Sequence, residues 1–178
     1  RSLGATGPQA LATYDRLRER LAAMPGVSRA SYARIALLTQ NNWNASITVP
    51  GYAPTTLADR NVRMNGVEPA YLATMEIPLR RGRDFTAHDA APDGPKVAIV
   101  DQAFAKKYFG NEDVIGRRFI LNLDRTASEV EIVGLVRESP YSDVKGQTRP
   151  VAFLPYAQVE PNMVGVANFV VRFSGTEA

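Results

Sequence analysis

Residues 66–85 read GVEPAYLATMEIPLRRGRDF, 96–110 read KVAIVDQAFAKKYFG, 112–119 read EDVIGRRF and 129–136 read EVEIVGLV. The second run is the most explicit. Val97-Ala98-Ile99-Val100 is unbroken apolar sequence of strand length and predicts a buried strand. Asp101 follows as an N-cap for a helix over 102–109, its carboxylate placed to accept from amides that the first turn leaves open. Phe104, Ala105, Tyr108 and Phe109 share one face of that helix, and Gly110 ends it with the positive φ that glycine adopts freely.

The neighbouring runs are punctuated in the same way. Glu68-Pro69 starts a short helix with Tyr71, Leu72 and Met75 on one face, and Pro78 stops it. In Arg80-Arg81-Gly82-Arg83-Asp84, Gly82 supplies a backbone turn, and Asp84 can hold an arginine or cap local amides. Residues 86–94 are rich in Ala, Asp and Pro and predict an exposed loop. After the Ile115-Gly116 turn come a strand over 118–123, a polar hairpin connection over 123–128 and a return strand over 129–136. On that return, Val130 and Ile132 are expected on one face and Val133 and Leu135 on the other, which implies a central strand covered on both sides.

Outward from this core, residues 8–24 form the clearest helix, with Thr6 as cap, Pro8 in the first turn and Pro25-Gly26 as the stop. Leu11, Tyr14, Leu17, Leu21 and Met24 make an apolar stripe, with Arg16, Glu19 and Arg20 off it, so the helix is expected to lie on a sheet. A strand over 27–38 leads into TQNNWN, then come a short strand over 47–49, the turn Pro50-Gly51 and a strand over 60–67. In the last of these, Val62 and Met64 alternate with Arg63 and Asn65, predicting one wet face. Trp43 stands among Asn41, Asn42 and Asn44. It reads either as a partner-contact residue or as a ring folded back into the core, the core reading carrying more weight. Beyond residue 149, strands are expected at 151–154 and 168–173, with Phe169, Val171 and Phe173 inward and Arg172 outward.

With 178 residues there is room for one ordinary domain or two small lobes. Hydrophobic residues make up 45% and charged residues 22%, which excludes disordered and collagen-like classes. Twenty-one Lys and Arg stand against 18 Asp and Glu, and they are scattered. The tightest cluster, Arg80, Arg81 and Arg83, is a candidate partner contact. It lacks the interleaved aromatics of a nucleic-acid surface, so no nucleic-acid partner is expected. The absence of cysteine excludes a disulfide framework, a Cys-based zinc site and a thiol nucleophile. No apolar run reaches the roughly 18 to 20 residues of a bilayer span. No signal peptide opens the chain, and the ends RSLGATG and SGTEA suggest a piece of a longer protein.

Catalytic chemistry is hard to place. Gly110 and Gly116 frame a glycine pair without the following Lys-Ser/Thr of a phosphate loop, and they precede a strand rather than a helix. The single histidine, His88, lies beside Asp89 in a polar loop and reads as a solvated residue. Neither Glu112 with Asp113 nor Glu129 with Glu131 suggests a desolvated acid/base pair. The residues favour a non-enzyme, with a His88-based hydrolase as the least supported alternative.

Taken together, these motifs resemble the MacB-like periplasmic core domain carried by permeases of the MacB/FtsX superfamily of ABC transporters. The family pattern runs V-x-P-x-Y-F, I-P-L-x-x-G-R-x-F-x-x-x-D, V-A-I-V-N-x-x-F-A-x-x-x-F, D-P-I-G-x-x-F, I-V-G-V-V and L-P-Y. This chain carries Val67, Pro69, Tyr71, Ile77-Pro78-Leu79, Gly82-Arg83, Phe85 and Asp89. It continues with Val97-Ala98-Ile99-Val100, Phe104-Ala105, Phe109, Asp113, Ile115-Gly116, Phe119, Ile132-Val133-Gly134 and Leu154-Pro155-Tyr156. It departs at Leu72 for Phe, Asp101 for Asn and Val114 for Pro, all physically mild.

The resemblance implies a two-lobed α+β extracytoplasmic domain. Residues 1–66 and 150–178 would form an incomplete porter-like lobe of helices on a sheet, and 67–149 an inserted sabre-like lobe. It implies a non-enzymatic, periplasm-facing segment of a bacterial inner-membrane permease that couples cytoplasmic ATP hydrolysis to export or mechanotransmission, with no cofactor of its own. The implied partners are flanking transmembrane helices, indirectly an ABC nucleotide-binding domain or subunit, and a second permease copy or a periplasmic protein. The alternative is a periplasmic binding module that captures a lipid, peptide or small ligand between its lobes.

Overall fold

The computed structural model describes residues 7–36, 43–91, 93–123, 126–137, 149–159 and 165–174; the expected Thr6 cap, the far end of the first predicted strand and the centre of the 123–128 connection lie outside them. The elements in chain order are α1 (Gly7–Ala22), β1 (Val27–Ala33), β2 (Trp43–Thr48), β3 (Asn61–Val67), α2 (Tyr71–Thr74), β4 (Leu79–Gly82), β5 (Val97–Asp101), α3 (Gln102–Phe109), β6 (Arg118–Leu123), β7 (Thr126–Val136), β8 (Val151–Pro155) and β9 (Asn168–Phe173). A 3₁₀ turn over Leu57–Arg60 leads into β3, and another over Tyr156–Gln158 follows β8.

Strand pairing runs β2-β6-β7-β5-β8-β3, and β2 also pairs with β3, so these six strands close on themselves. β2 is the closing strand, with Ser46 opposite both Asn61 of β3 and Asn122 of β6. Closure removes the unpaired edges that an open sheet of these strands would present. One face of each strand fills the interior: Trp43, Ala45 and Ile47, Val62 and Met64, Ala98 and Val100, Phe119 and Leu121, Val130 and Ile132, Ala152 and Leu154. Phe104, Ala105 and Tyr108 of α3 belong to the same core. Their rings pack at centroid separations of 4.7 Å (Phe104–Tyr108) and 5.4 Å (Phe104–Phe119).

α3 is set as its local sequence dictates. The Asp101 carboxylate accepts from Phe104 N at 2.8 Å, and Gly110 takes φ 74° at the C-cap. The same Asp101 oxygen also accepts from Val151 N at 3.1 Å, tying the helix start to β8.

β7 departs from simple alternation. It pairs in parallel with β5, Ala98 opposite Ile132 but Ile99 opposite Gly134, so Val133 is an extra residue on the β7 side. Such a bulge shifts the phase of the strand. Leu135 therefore joins Val130 and Ile132 inside the barrel, while Val133 and Val136 face the second core with Ile99, Phe153, Tyr71 and Leu72. This corrects the expectation that Leu135 shares a face with Val133. Past the bulge, β4 replaces β6 as the neighbour of β7.

β1 and β9 extend the sheet from β3, joined at Ala33 opposite Val67. α1 packs here through Ala10, Leu11 and Tyr14, against Tyr32, Tyr156 and Phe169. The predicted stripe is only half used, since Leu17 and Met24 remain 41% and 50% exposed. On β9, Phe173 is 64% exposed rather than inward. The predicted wet face of β3 is also wrong at Asn65. That side chain is buried, its oxygen accepting from Ile35 N and its amide donating to Ile35 O, both at 3.0 Å. It thereby completes a backbone pairing that β1 does not reach.

The boundaries at 66/67 and 149/150 do not interrupt the sheet. β2 pairs with β6 and β8 with β5, and both sides of each boundary contribute to one interior.

Candidate functional site

Trp43 lies on β2 opposite Met64, 7% exposed, in the barrel core. The Arg34 guanidinium sits 5.0 Å from its ring centroid, a cation–π arrangement. The three arginines separate. Arg80 is the extra residue in the β4–β7 register, where Leu79 opposes Val136 and Arg81 opposes Leu135, and it is exposed. Arg81 reaches the Glu112 carbonyl at 3.4 Å and the Asp113 carboxylate at 3.5 Å. Both Asp113 and Arg81 are largely exposed, so this ion pair adds little to stability.

Arg83 is the architectural one. Its guanidinium grips Asp89 with both terminal nitrogens, at 2.6 and 3.0 Å, and donates to the Asp84 carbonyl at 3.1 Å. Asp89 is buried and also accepts from Thr86 N and Thr86 Oγ1, both at 2.7 Å. Burial pushes the Asp89 carboxyl upward, but the Arg83 and Thr86 donors outweigh it and hold the group at about 2. Residues 86–91, part of the expected exposed loop, are thus a turn folded on a buried carboxylate. Asp84 holds no arginine through its carboxylate, which instead accepts from Phe85 N at 2.7 Å; burial raises its pKa, partly offset by that amide. Gly82 turns the chain into this motif at φ 75°, and a Cβ there would meet the Val133 carbonyl.

His88 is exposed, and no described side chain bonds its ring. Glu129 and Glu131 both pair with Arg118, at 2.9 and 3.1 Å, and the Glu112 carboxylate accepts from Gln102 at 2.6 Å. Among the described residues no group of three or more His, Asp and Glu could hold a metal ion, and no helix is long and apolar enough to cross a membrane.

A cleft of about 530 Å³ separates α1 from the 87–91 turn. Leu11, Ala12 and Asp15 line one side and Ala87, Ala90 and Ala91 the other, with Tyr32 and Tyr156 also in the lining. Tyr32 donates to Asp15 at 2.8 Å, and burial together with that carboxylate drives its phenol well above the usual range, so it stays a donor. Sequence reasoning missed this cleft, because its walls lie more than 70 residues apart in the chain and meet only once the sheet is built.

Solved structures share the fold. The periplasmic region of MacB from Actinobacillus actinomycetemcomitans has a TM-score of 0.62 at 17% identity, covering 93% of this chain and 66% of that one. The extracellular domain of the noncanonic ABC-type transporter YknZ from Gram-positive bacteria has a TM-score of 0.62 at 15% identity, covering 91% of this chain and 73% of that one. This chain therefore spans just under two thirds of the MacB region. No curated protein matches the sequence. The mixed helix and strand arrangement is thus one used by extracytoplasmic transporter domains. Residues 4–178 match the model of the MacB-like periplasmic core domain, and the chain belongs to that family. The family is a domain of transporter permeases rather than a class of enzyme.

Proposed function

We propose that this domain couples cytoplasmic ATP hydrolysis to export or mechanotransmission on the periplasmic side of the inner membrane. In this reading residues 1–66 and 150–178 act as the porter-like part, attached to flanking transmembrane helices, and 67–149 as the sabre-like part. An ABC nucleotide-binding domain or subunit supplies the motion from the other side of the membrane. The observation that carries the reading is the shared barrel. Because β2, β3 and β8 close the same ring as β5, β6 and β7, displacement of one part is passed to the other without a hinge. A force-transmitting element requires this kind of packing.

The test is the complete reading frame and its reconstituted permease. Apolar spans of about 20 residues are expected on both sides of this segment. Loosening the ring with Trp43→Ala should leave basal ATPase activity intact while lowering transport per ATP hydrolysed. A reading frame with no apolar span, or equal coupling in the variant, overturns the proposal.

The α1 cleft supports a second reading, capture of a small amphiphilic ligand between the two parts, because residues of both line it. That reading requires a ligand-dependent rise in Tm, and a screen of lipids and peptides without any shift removes it.

A further inference from the structure

We propose that the cleft of about 530 Å³ between α1 and the 87–91 turn takes a ligand carrying a protonated amine on an apolar body. The proposal rests on the capture reading above and adds to it the charge of what is captured. The walls set the apolar part. Leu11 and Ala12 of α1 stand on one side and Ala90 and Ala91 of the turn on the other, while Tyr32 and Tyr156, packed edge to face at 5.1 Å, complete the lining. Alanines on both walls leave room for a carbon chain or ring, and a cleft of this volume suits a small molecule.

The polar lining is acidic. Asp15, Glu19 and Glu68 supply three carboxylates, and Arg18 is the cation that lines the cleft with them. Asp15 accepts from the Tyr32 hydroxyl at 2.8 Å, a neutral donor, and forms no ion pair with any described residue. Arg18 is divided between the other two. Its Nη2 lies 3.5 Å from Glu19 and its Nε 3.9 Å from Glu68, the second distance beyond hydrogen-bond reach. The buried Nε accordingly makes no hydrogen bond with any described residue. Glu68 is fixed by neutral donors instead, its other oxygen accepting from Ser31 Oγ at 2.6 Å and Ala70 N at 3.1 Å. The cleft thus holds more negative than positive charge, with acceptors set in place on apolar walls. An ammonium group answers both features, since it brings a positive charge and three donors; a hydroxyl lacks the charge, and an anion meets like charge.

Octylammonium, octyl glucoside and octanoate carry similar alkyl chains with a positive, a neutral and a negative head. The 178-residue chain is titrated calorimetrically with each, below micelle-forming concentrations. Octylammonium should bind about tenfold more tightly than octyl glucoside, the gain of one charge-assisted contact, and octanoate least. Asp15→Asn keeps an oxygen for the Tyr32 hydroxyl, so it should fold as the parent does, lose about tenfold in octylammonium affinity and leave octyl glucoside unchanged. Glu19→Gln, at a side chain 67% exposed, should weaken octylammonium in the same direction. Ala12→Phe, at an exposed position of α1, fills the cleft and should weaken both probes. Asp113→Asn removes a carboxylate that does not line the cleft and should change neither. Equal affinity for octylammonium and octyl glucoside, both lowered by Ala12→Phe, leaves capture standing and overturns the choice of an amine. Absence of binding by all three probes overturns capture and amine together. Octylammonium binding that Asp15→Asn leaves intact, or that Asp113→Asn weakens equally, overturns the proposal as well.

Discussion

Replacing Asp89 by Asn removes one charge from a buried carboxylate that several donors converge on. Its four incoming bonds are two from Arg83, at 2.6 and 3.0 Å, and two from Thr86, both at 2.7 Å. Asparagine keeps one acceptor oxygen and turns an amide against the remaining donors. The displacement of the carboxyl from 3.8 to about 2 corresponds to about 2 kcal/mol of preference for the charged form in the fold. Breaking a buried charge pair can cost more, but the Arg83 side chain is 47% exposed and regains water, so about 2–3 kcal/mol is expected. For a chain of this size that lowers Tm by roughly 5–10 °C. The group is depressed in the fold, so its contribution is complete above its ordinary value and is lost as pH falls from about 4 to about 2. Urea unfolding of the parent should therefore show an acid-limb loss over that window that Asp89→Asn lacks. Combined with Arg83→Met, the loss should fall short of the sum of the single losses by about 1 kcal/mol or more. An Asp89→Asn midpoint within about 0.5 kcal/mol of the parent, or parallel acid limbs in the two proteins, would refute the reasoning.

Gly82→Ala forces a side chain into positive φ and against the Val133 carbonyl, and should cost about 2–4 kcal/mol in chemical denaturation. Asp101→Ala deprives Phe104 N and Val151 N of their acceptor, with an expected loss of about 2–3 kcal/mol, whereas Asp101→Asn should retain most of it. Trp43→Ala empties a core position and should cost about 3–5 kcal/mol, and the parent's Trp43 emission should be that of a shielded indole that shifts red on unfolding. Arg118→Gln, which releases two exposed glutamates, should change stability by less than about 1 kcal/mol.

These sites differ in how far the sequence announces them. Val97–Val100, the Asp101 cap and Gly110 are local features, and local chemistry is enough to read β5 and α3. The Arg83–Asp89 pair is six residues apart, and sequence alone offered the nearer Asp84. Only the turn at 86–90, built on Thr86 and Asp89 together, decides between them. Leu135 was misplaced because alternation assumes an unbroken strand, and nothing in EVEIVGLV marks where the extra residue falls except a glycine that could serve several purposes. Asn65 sits at an alternating position and looks wet, yet its burial follows from where β1 ends.

The closed ring also dictates an order of assembly. Its registers join Ser46 to Asn122 and Arg63 to Val151, pairings distant in sequence that carry a large loop-closure entropy. As the polypeptide emerges from its N-terminus, β3 and β5 each wait with one edge open until Val151–Pro155 arrives to lie between them. A fragment ending before Val151 therefore retains two adhesive strand edges. During export across a membrane this interval is when the domain is most exposed to mispairing, and the arrival of five residues late in the chain ends it.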